Sequence, residues 1–268
     1  MCNPNCLWFV NRSLCASEVT GRRILEVGAY DVNGSARPAI EAMEPESYVG
    51  VDIIEGPGVD EICNVEGLVE RFGPGAFDVV ISTEMIEHVP DWQAAISNLK
   101  RVTAPQGVIL LTTRSKGFPL HDYPADHWRF EQEDMRVIFS DCAIEHLEND
   151  APQDPGVFVK VRKPSEFQEL ELRGYALYSM VSDDRAVTCE DANRVMAEVA
   201  RIRDLEERVL QLQEEAAAQA MTLQLISSEA ASARTQLRDM QRLRILRYTA
   251  PLRSVYGSAR AALLSRRS

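Results

Sequence analysis

Two histidines, His88 and His121, are the groups in this 268-residue chain best suited to moving a proton near neutral pH. His121 sits in the run Arg114-Ser-Lys-Gly-Phe-Pro-Leu-His121-Asp122-Tyr123-Pro-Ala-Asp126-His127-Trp128-Arg129-Phe130. Such a run suits a polar ligand: aromatic faces stack on rings or sugars, while acids and arginines take hydroxyls and charges. Arg114, Asp122, Tyr123, Asp126 and Arg129 are therefore expected to bind substrate, and His88 and His121 to serve as the base. Trp128 and Phe130 read instead as core. A metal acting through Asp122 or Asp126 is not demanded by any ligand spacing, and none is expected.

A second constellation lies nearer the N-terminus. Ile24-Leu25-Glu26-Val27-Gly28 reads as a buried strand ending in an acid and a glycine, and Tyr48-Val49-Gly50-Val51-Asp52 as a second ending in an aspartate. This is how many α/β proteins hold a nucleoside, with backbone approaching at the glycine and ribose hydroxyls on the aspartate. A dinucleotide loop, G-x-G-x-x-G, would need glycine where this chain has Tyr30 and Asn33. That disfavours a nicotinamide cofactor, whose pyrophosphate needs the close helix approach.

The elements that must position these residues alternate. Arg23–Val27, Tyr48–Asp52, Phe77–Ser82 and Gly107–Thr113 read as strands. Ser35–Met43, Leu68–Phe72, Trp92–Val102 and Asp134–Phe139 read as helices. Ala143–Leu147 and Gly156–Lys163 read as a terminal antiparallel pair. The expected fold class is α/β, a Rossmann-like, mostly parallel sheet with helices on both faces. The run after the fourth strand should then lie over the carboxyl edge. The domain is expected to span residues 1–164, followed by a connecting segment over 165–188 in which Tyr175–Val181 reads as either strand or helix.

With these motifs in order, residues 22–163 resemble the class I S-adenosylmethionine-dependent methyltransferases. The resemblance rests on Ile24–Gly34, Gly50-Val51-Asp52, Phe77–Glu84 with Glu87-His88-Val89, and Gly107–Thr113. The chain departs from the family's E-x-G-x-G-x-G loop in lacking the later glycines, and Asn33-Gly34 makes the turn instead. The resemblance implies S-adenosyl-L-methionine as cofactor, with contacts at Glu26, Gly28, Asp31, Asp52, Ile53, Asn64, Val65, Ser82, Thr83 and Glu84. It implies methyl transfer, in which the protein chiefly aligns donor and acceptor.

Composition bounds the rest. A hydrophobic share of 45% and a charged share of 26% are ordinary for a soluble protein. No apolar run reaches the ~20 residues of a membrane span, and no secretory leader is evident. The six cysteines are scattered, which fits free thiols and a reducing, cytoplasmic setting. The net charge is −12, yet seven arginines and no acid follow Asp239. The body is therefore strongly acidic, which argues against a nucleic-acid partner.

Residues 189–246 read as a coiled coil. Alternate steps of three and four from Ile202 to Met240 meet apolar residues at eleven of twelve positions, Gln219 being the exception. Self-association through this seam is expected. The basic tail, 247–268, interleaves arginine with apolar residues, which suits peripheral contact with an anionic inner membrane. Leu246–Arg253 is similar to runs that follow coiled coils in bacterial enzymes of cell-surface polysaccharide synthesis. That resemblance implies a glycan or glycan precursor as the methyl acceptor. Three other readings share the same residues: a small-metabolite acceptor, a non-catalytic domain on a coiled-coil scaffold, and a nicotinamide-dependent oxidoreductase.

Overall fold

The apolar strands are separated by short turns and helices, so the chain must wind back and forth across one sheet. The computed structural model describes residues 4–121 and 125–264, and the chain divides into two units, Met1–Val199 and Ala200–Ser268. Helices α1 (Pro4–Ser13) and α2 (Ala16–Val19) precede strand β1 (Arg23–Val27). Then come α3 (Arg37–Glu41), β2 (Ser47–Asp52), β3 (Glu61–Ile62), α4 (Leu68–Phe72), β4 (Phe77–Thr83), α5 (Trp92–Val102) and β5 (Thr103–Arg114). After these follow β6 (Trp128–Arg129), α6 (Gln132–Ile138), β7 (Ala143–Asn149), β8 (Gly156–Arg162), β9 (Leu177–Ser179), β10 (Asp184–Ala186) and α7 (Cys189–Leu264).

Seven strands form one sheet in the order β3-β2-β1-β4-β5-β8-β7. The first five are parallel, and β8 runs antiparallel to both its neighbours. This is the Rossmann-like α/β sheet that the alternation implies. Order reverses between β1 and β4, which makes their carboxyl ends the switch point. The period-two alternation of the strands divides the core in two. Ile24, Val79, Ile81, Val108 and Leu110 face α1 and α3, while Leu25, Val80, Ile109 and Leu111 face α4, α5 and α6.

Helix α5 shows why these residues make this element. Asp91 caps it by accepting a 2.9 Å hydrogen bond from the Ala94 amide. Trp92, Ala95, Ile96, Leu99 and Val102 then recur at helical spacing and are all buried. Burying each of the larger ones contributes about 1.5–3 kcal/mol. Lys100 is also buried, and its ammonium donates to the Asp141 carboxylate at 2.7 Å and the Ile138 carbonyl at 2.6 Å.

Residues 165–188, expected as a connecting segment, contribute to the core. Leu172, Leu177 and Ala186 are buried, and β9 joins β6 and β10 in a three-stranded antiparallel sheet. Tyr175–Val181 therefore contains a strand. The expected coiled coil and the described part of the expected tail form one continuous helix, α7, over Cys189–Leu264. Among the described residues no helix is long and apolar enough to cross a membrane, and Cys15, Cys63, Cys142 and Cys189 are free thiols.

The N-terminal helices are tied to the antiparallel side of the sheet by charge. Lys160 on β8 donates to both carboxylate oxygens of Glu18 at 2.8 and 2.9 Å, and Arg162 joins the same group. Burial alone would raise the Glu18 pKa, but the hydrogen bonds from Lys160 and Arg162 outweigh it and hold it at about 2, against an ordinary 4.5. A carboxyl depressed on folding contributes stability that is present above its unfolded pKa and lost as pH falls toward the folded one. Thermal unfolding followed from pH 6 to pH 2 should therefore show a falling Tm below about 4.5. Glu18→Gln should lower Tm at pH 6 and make that acid limb shallower; an unchanged limb would remove Glu18 from the acid response.

Candidate functional site

The cleft opens where the loops after β1 and β4 part. It is open to solvent on one side and takes its walls from the ends of β1, β2, β3 and β4. At the end of β1 the chain turns through Gly28 with φ +80°, and a Cβ there would stand 2.8 Å from the Met85 side chain. Only glycine meets both conditions without strain. The turn that follows closes on itself, with Asp31 accepting the Gly34 amide at 2.7 Å and Gly34 at φ +117°. Asn33-Gly34 thus makes the turn without the missing glycines.

Asp52 ends β2 on the cleft wall. One carboxylate oxygen accepts the Ile53 amide at 2.7 Å and the other the Tyr30 amide at 3.1 Å, which holds the acid against the β1 loop. Asn64 caps the 3-10 turn Val65–Gly67, accepting the Glu66 amide at 3.2 Å, and presents Val65 as an apolar wall. Thr83, Glu84 and Met85 leave β4 across the floor. Glu84 has φ 53°, a left-handed conformation that costs a residue with a side chain on the order of 1–3 kcal/mol.

The polar end of the cleft is built from Glu87, His88 and His121. Glu87 is fully buried; one oxygen accepts the Thr113 hydroxyl at 2.8 Å. His88 Nδ1 donates to the Ala125 carbonyl at 2.5 Å, and His121 Nδ1 donates to Asp126 at 3.0 Å. The rings meet edge to face, their centroids 4.8 Å apart. Burial pushes the His88 pKa down, against the opposing pull of the Glu87 carboxylate. Burial would raise the Asp126 pKa, but hydrogen bonds from Arg129 and His121 hold it well below the ordinary range.

Nine of the expected site residues line this one cleft: Gly28, Asp52, Ile53, Asn64, Val65, Thr83, Glu84, His88 and His121. Six described ones do not. Glu26 points beneath the loop, where it accepts the Tyr48 hydroxyl at 2.7 Å, and burial raises its pKa to about 7. Asp31 is used in the turn, and Ser82 is buried within β4. Arg114 is buried beside Glu84 and Asp150, its guanidinium 4.0 Å above the Phe118 ring. Asp126 and Arg129 are buried against each other. Asp122 and Tyr123 lie outside the described residues. Trp128 and Phe130 are fully buried, in keeping with core residues.

The sequence reading passed over Tyr30, Cys63, Met85, Val89 and Glu87. The first four line the cleft through their place in loops. Glu87 was legible only as the neighbour of His88.

A doubly wound sheet with a nucleoside-sized cleft at its switch point defines a class of nucleotide- and nucleoside-cofactor proteins. The methyltransferase domain model matches residues 7–149, more than half of the chain, and the chain belongs to that family. It is 30% identical over 115 residues to the ubiquinone biosynthesis O-methyltransferase of Dechloromonas aromatica, covering 38% of this chain and 48% of that one. The Chromobacterium violaceum protein of the same name is 24% identical over 221 residues, 72% and 85% of the two chains. The chain thus spans about half the length of the first of these relatives. Among solved structures, it is similar to a Burkholderia thailandensis 1,6-didemethyltoxoflavin-N1-methyltransferase with bound S-adenosylhomocysteine. The TM-score is 0.49 and the identity 14%, over 59% of this chain and 78% of that one.

Arg129 has a clear structural task. Its guanidinium donates to Asp126 at 2.7 Å and to the Pro119 carbonyl at 3.1 Å, and is wholly buried. Removing it takes the counter-charge from a buried carboxylate that keeps only its bonds to His121, and breaking such a pair typically costs about 3–5 kcal/mol. Urea unfolding of Arg129→Ala should show a loss of that size; wild-type stability would show that the loop does not depend on this pair.

Proposed function

We propose that this protein is an S-adenosylmethionine-dependent methyltransferase that methylates a hydroxyl oxygen. The observation that carries it is the joining of two half-sites in one cleft. Gly28, Asp52, Asn64 and Val65 suit a nucleoside, and His88 and His121 face the same space from the other end. Asp52 is positioned for ribose hydroxyls, and Ile53, Val65 and Val89 offer apolar surface to a base. Thr83 and Met85 border the remaining floor toward the Gly28 turn.

Bound S-adenosylmethionine supplies a methyl group already activated by the sulfonium. What remains for the protein is alignment and removal of the acceptor's proton. With Nδ1–H committed to Asp126, His121 in its neutral form carries its lone pair on Nε2, which suits it to take that proton. The curated relatives are named O-methyltransferases, which supports a hydroxyl acceptor. Those names do not extend to the glycan expected from the tail.

Calorimetric titration of S-adenosylmethionine should give saturable binding to the wild type, at least tenfold weaker in Asp52→Ala. His121→Ala should bind the donor while transferring labelled methyl groups to a hydroxyl acceptor on the order of 10²-fold more slowly or worse. Absence of donor binding to the wild type would overturn the proposal.

We also propose that α7 pairs with a second copy of itself. Ile202, Leu205, Val209, Leu212, Leu223, Ile226, Leu237 and Met240 are each about half to two-thirds exposed in the single chain. They lie on one seam at coiled-coil spacing. Light scattering should give more than one chain per particle, and Leu212→Glu with Leu223→Glu should reduce it to one. A monomeric wild type at micromolar concentration would refute the pairing.

A further inference from the structure

Glu87 presents a problem that methyl transfer by itself does not resolve. Its carboxylate is wholly buried, and Oε2 is satisfied by Thr113, yet Oε1 has no hydrogen-bond partner among the described residues. Leaving a buried acceptor unpaired is costly, and more so for a charged one. His121 Nε2 is likewise buried and without a partner among the described residues. It stands 4.0 Å from Glu87 Oε1, and His88 Nε2 stands 3.9 Å from the same oxygen. These separations are too long for hydrogen bonds. Ligand atoms of all three residues lie within 4.8 Å of one another.

The second nitrogen of each ring decides what this space suits. A carbonyl can only accept, so His88 Nδ1 carries the proton in its bond to Ala125. Asp126 is a carboxylate tied to Arg129, so His121 Nδ1 carries the proton there as well. Each neutral ring therefore directs an Nε2 lone pair to the space beside Glu87 Oε1. Ring nitrogens backed by a carbonyl or a carboxylate are the usual support behind metal-ligating histidines. Two imidazoles and one carboxylate suit a divalent transition ion, whereas magnesium and calcium favour oxygen throughout.

We propose that Glu87 Oε1, His88 Nε2 and His121 Nε2 bind one divalent transition-metal cation, with Zn²⁺ the best match, at the acceptor end of the cleft. A tetrahedral zinc with bonds of ~2.0–2.1 Å sets its ligand atoms about 3.4 Å apart. The three atoms must therefore close by roughly 0.5–1.5 Å on binding the ion. Three protein ligands leave a coordination position for the cleft. There an acceptor hydroxyl would bind the cation through oxygen, break its O–H bond and release the proton to water. The cation would then do the ionising otherwise given to His121. This role rests on the methyl-transfer reading; cation binding does not.

The test is to strip the full-length protein with a chelator, titrate it with Co²⁺ by visible absorption, and titrate the same sample with S-adenosylmethionine by calorimetry. One Co²⁺ per chain is expected, with d–d bands, no strong thiolate charge-transfer band, and displacement by Zn²⁺. Affinity should fall at least tenfold in Glu87→Gln and in His121→Ala, with folding checked by circular dichroism. A wild type that takes up no Co²⁺ overturns the proposal, whatever the variants do. Uptake unchanged in folded Glu87→Gln, His88→Ala, His121→Ala triple variants overturns it too, since the ion then sits elsewhere. Donor binding without cation binding defeats this proposal alone. Cation binding without donor binding defeats the methyltransferase reading and leaves the cation site standing.

Discussion

The cleft exists because the chain leaves β1 in one direction across the sheet and returns on the other side of it. β1 pairs with β2 on one flank and β4 on the other, both parallel. Their following loops must diverge, and the gap is filled by whatever ligand the loops present. Everything at the site follows from that reversal: the turn at Gly28, the carboxylate at the end of β2, and the path of Glu84 across the floor. Close packing enforces it. A Cβ on Gly50 would approach the Gly58 carbonyl oxygen to 2.2 Å, so the loop after β2 lies directly against its own strand.

The opposite wall is held by different means. The described residues of the stretch from Arg114 to Phe130 contain little regular structure, and buried ion pairs do the work that a helix or strand does elsewhere. Arg129 gathers Asp126 with the Phe118 and Pro119 carbonyls, and Asp126 in turn fixes His121 through its backbone amide and its ring. Arg114 sits on Phe118 and faces Glu84 and Asp150. Such networks are weak sources of net stability but strict about geometry. The histidine is therefore positioned by charges that do not themselves line the cleft.

This division explains which parts were legible in the sequence. Regular elements announce themselves by periodicity, and Arg23–Val27, Leu68–Phe72 and Trp92–Val102 coincide with β1, α4 and α5. Strand β3 has two residues and no period to read, and 165–188 joins the core through three separated apolar residues. At the site, the residues at strand ends were legible because topology alone places them. Glu26 was not, because strand alternation turns it away from Val27 and toward Tyr48. Arg114, Asp126 and Arg129 have the composition of a binding loop, and nothing in their order reveals that they face one another. Glu87 and His121 lie far apart in sequence, so no ligand spacing could join them.

The long helix obeys another logic. An isolated helix gains most of its stability from packing an apolar face, and α7 shows its seam to water. The seam begins at Ile202, inside the second unit, whereas every described residue lining the cleft lies at or before His121. Among the described residues, those that line the cleft all belong to the first unit. The two properties are separable by construction, since the residues that make the seam and those that make the cleft do not overlap.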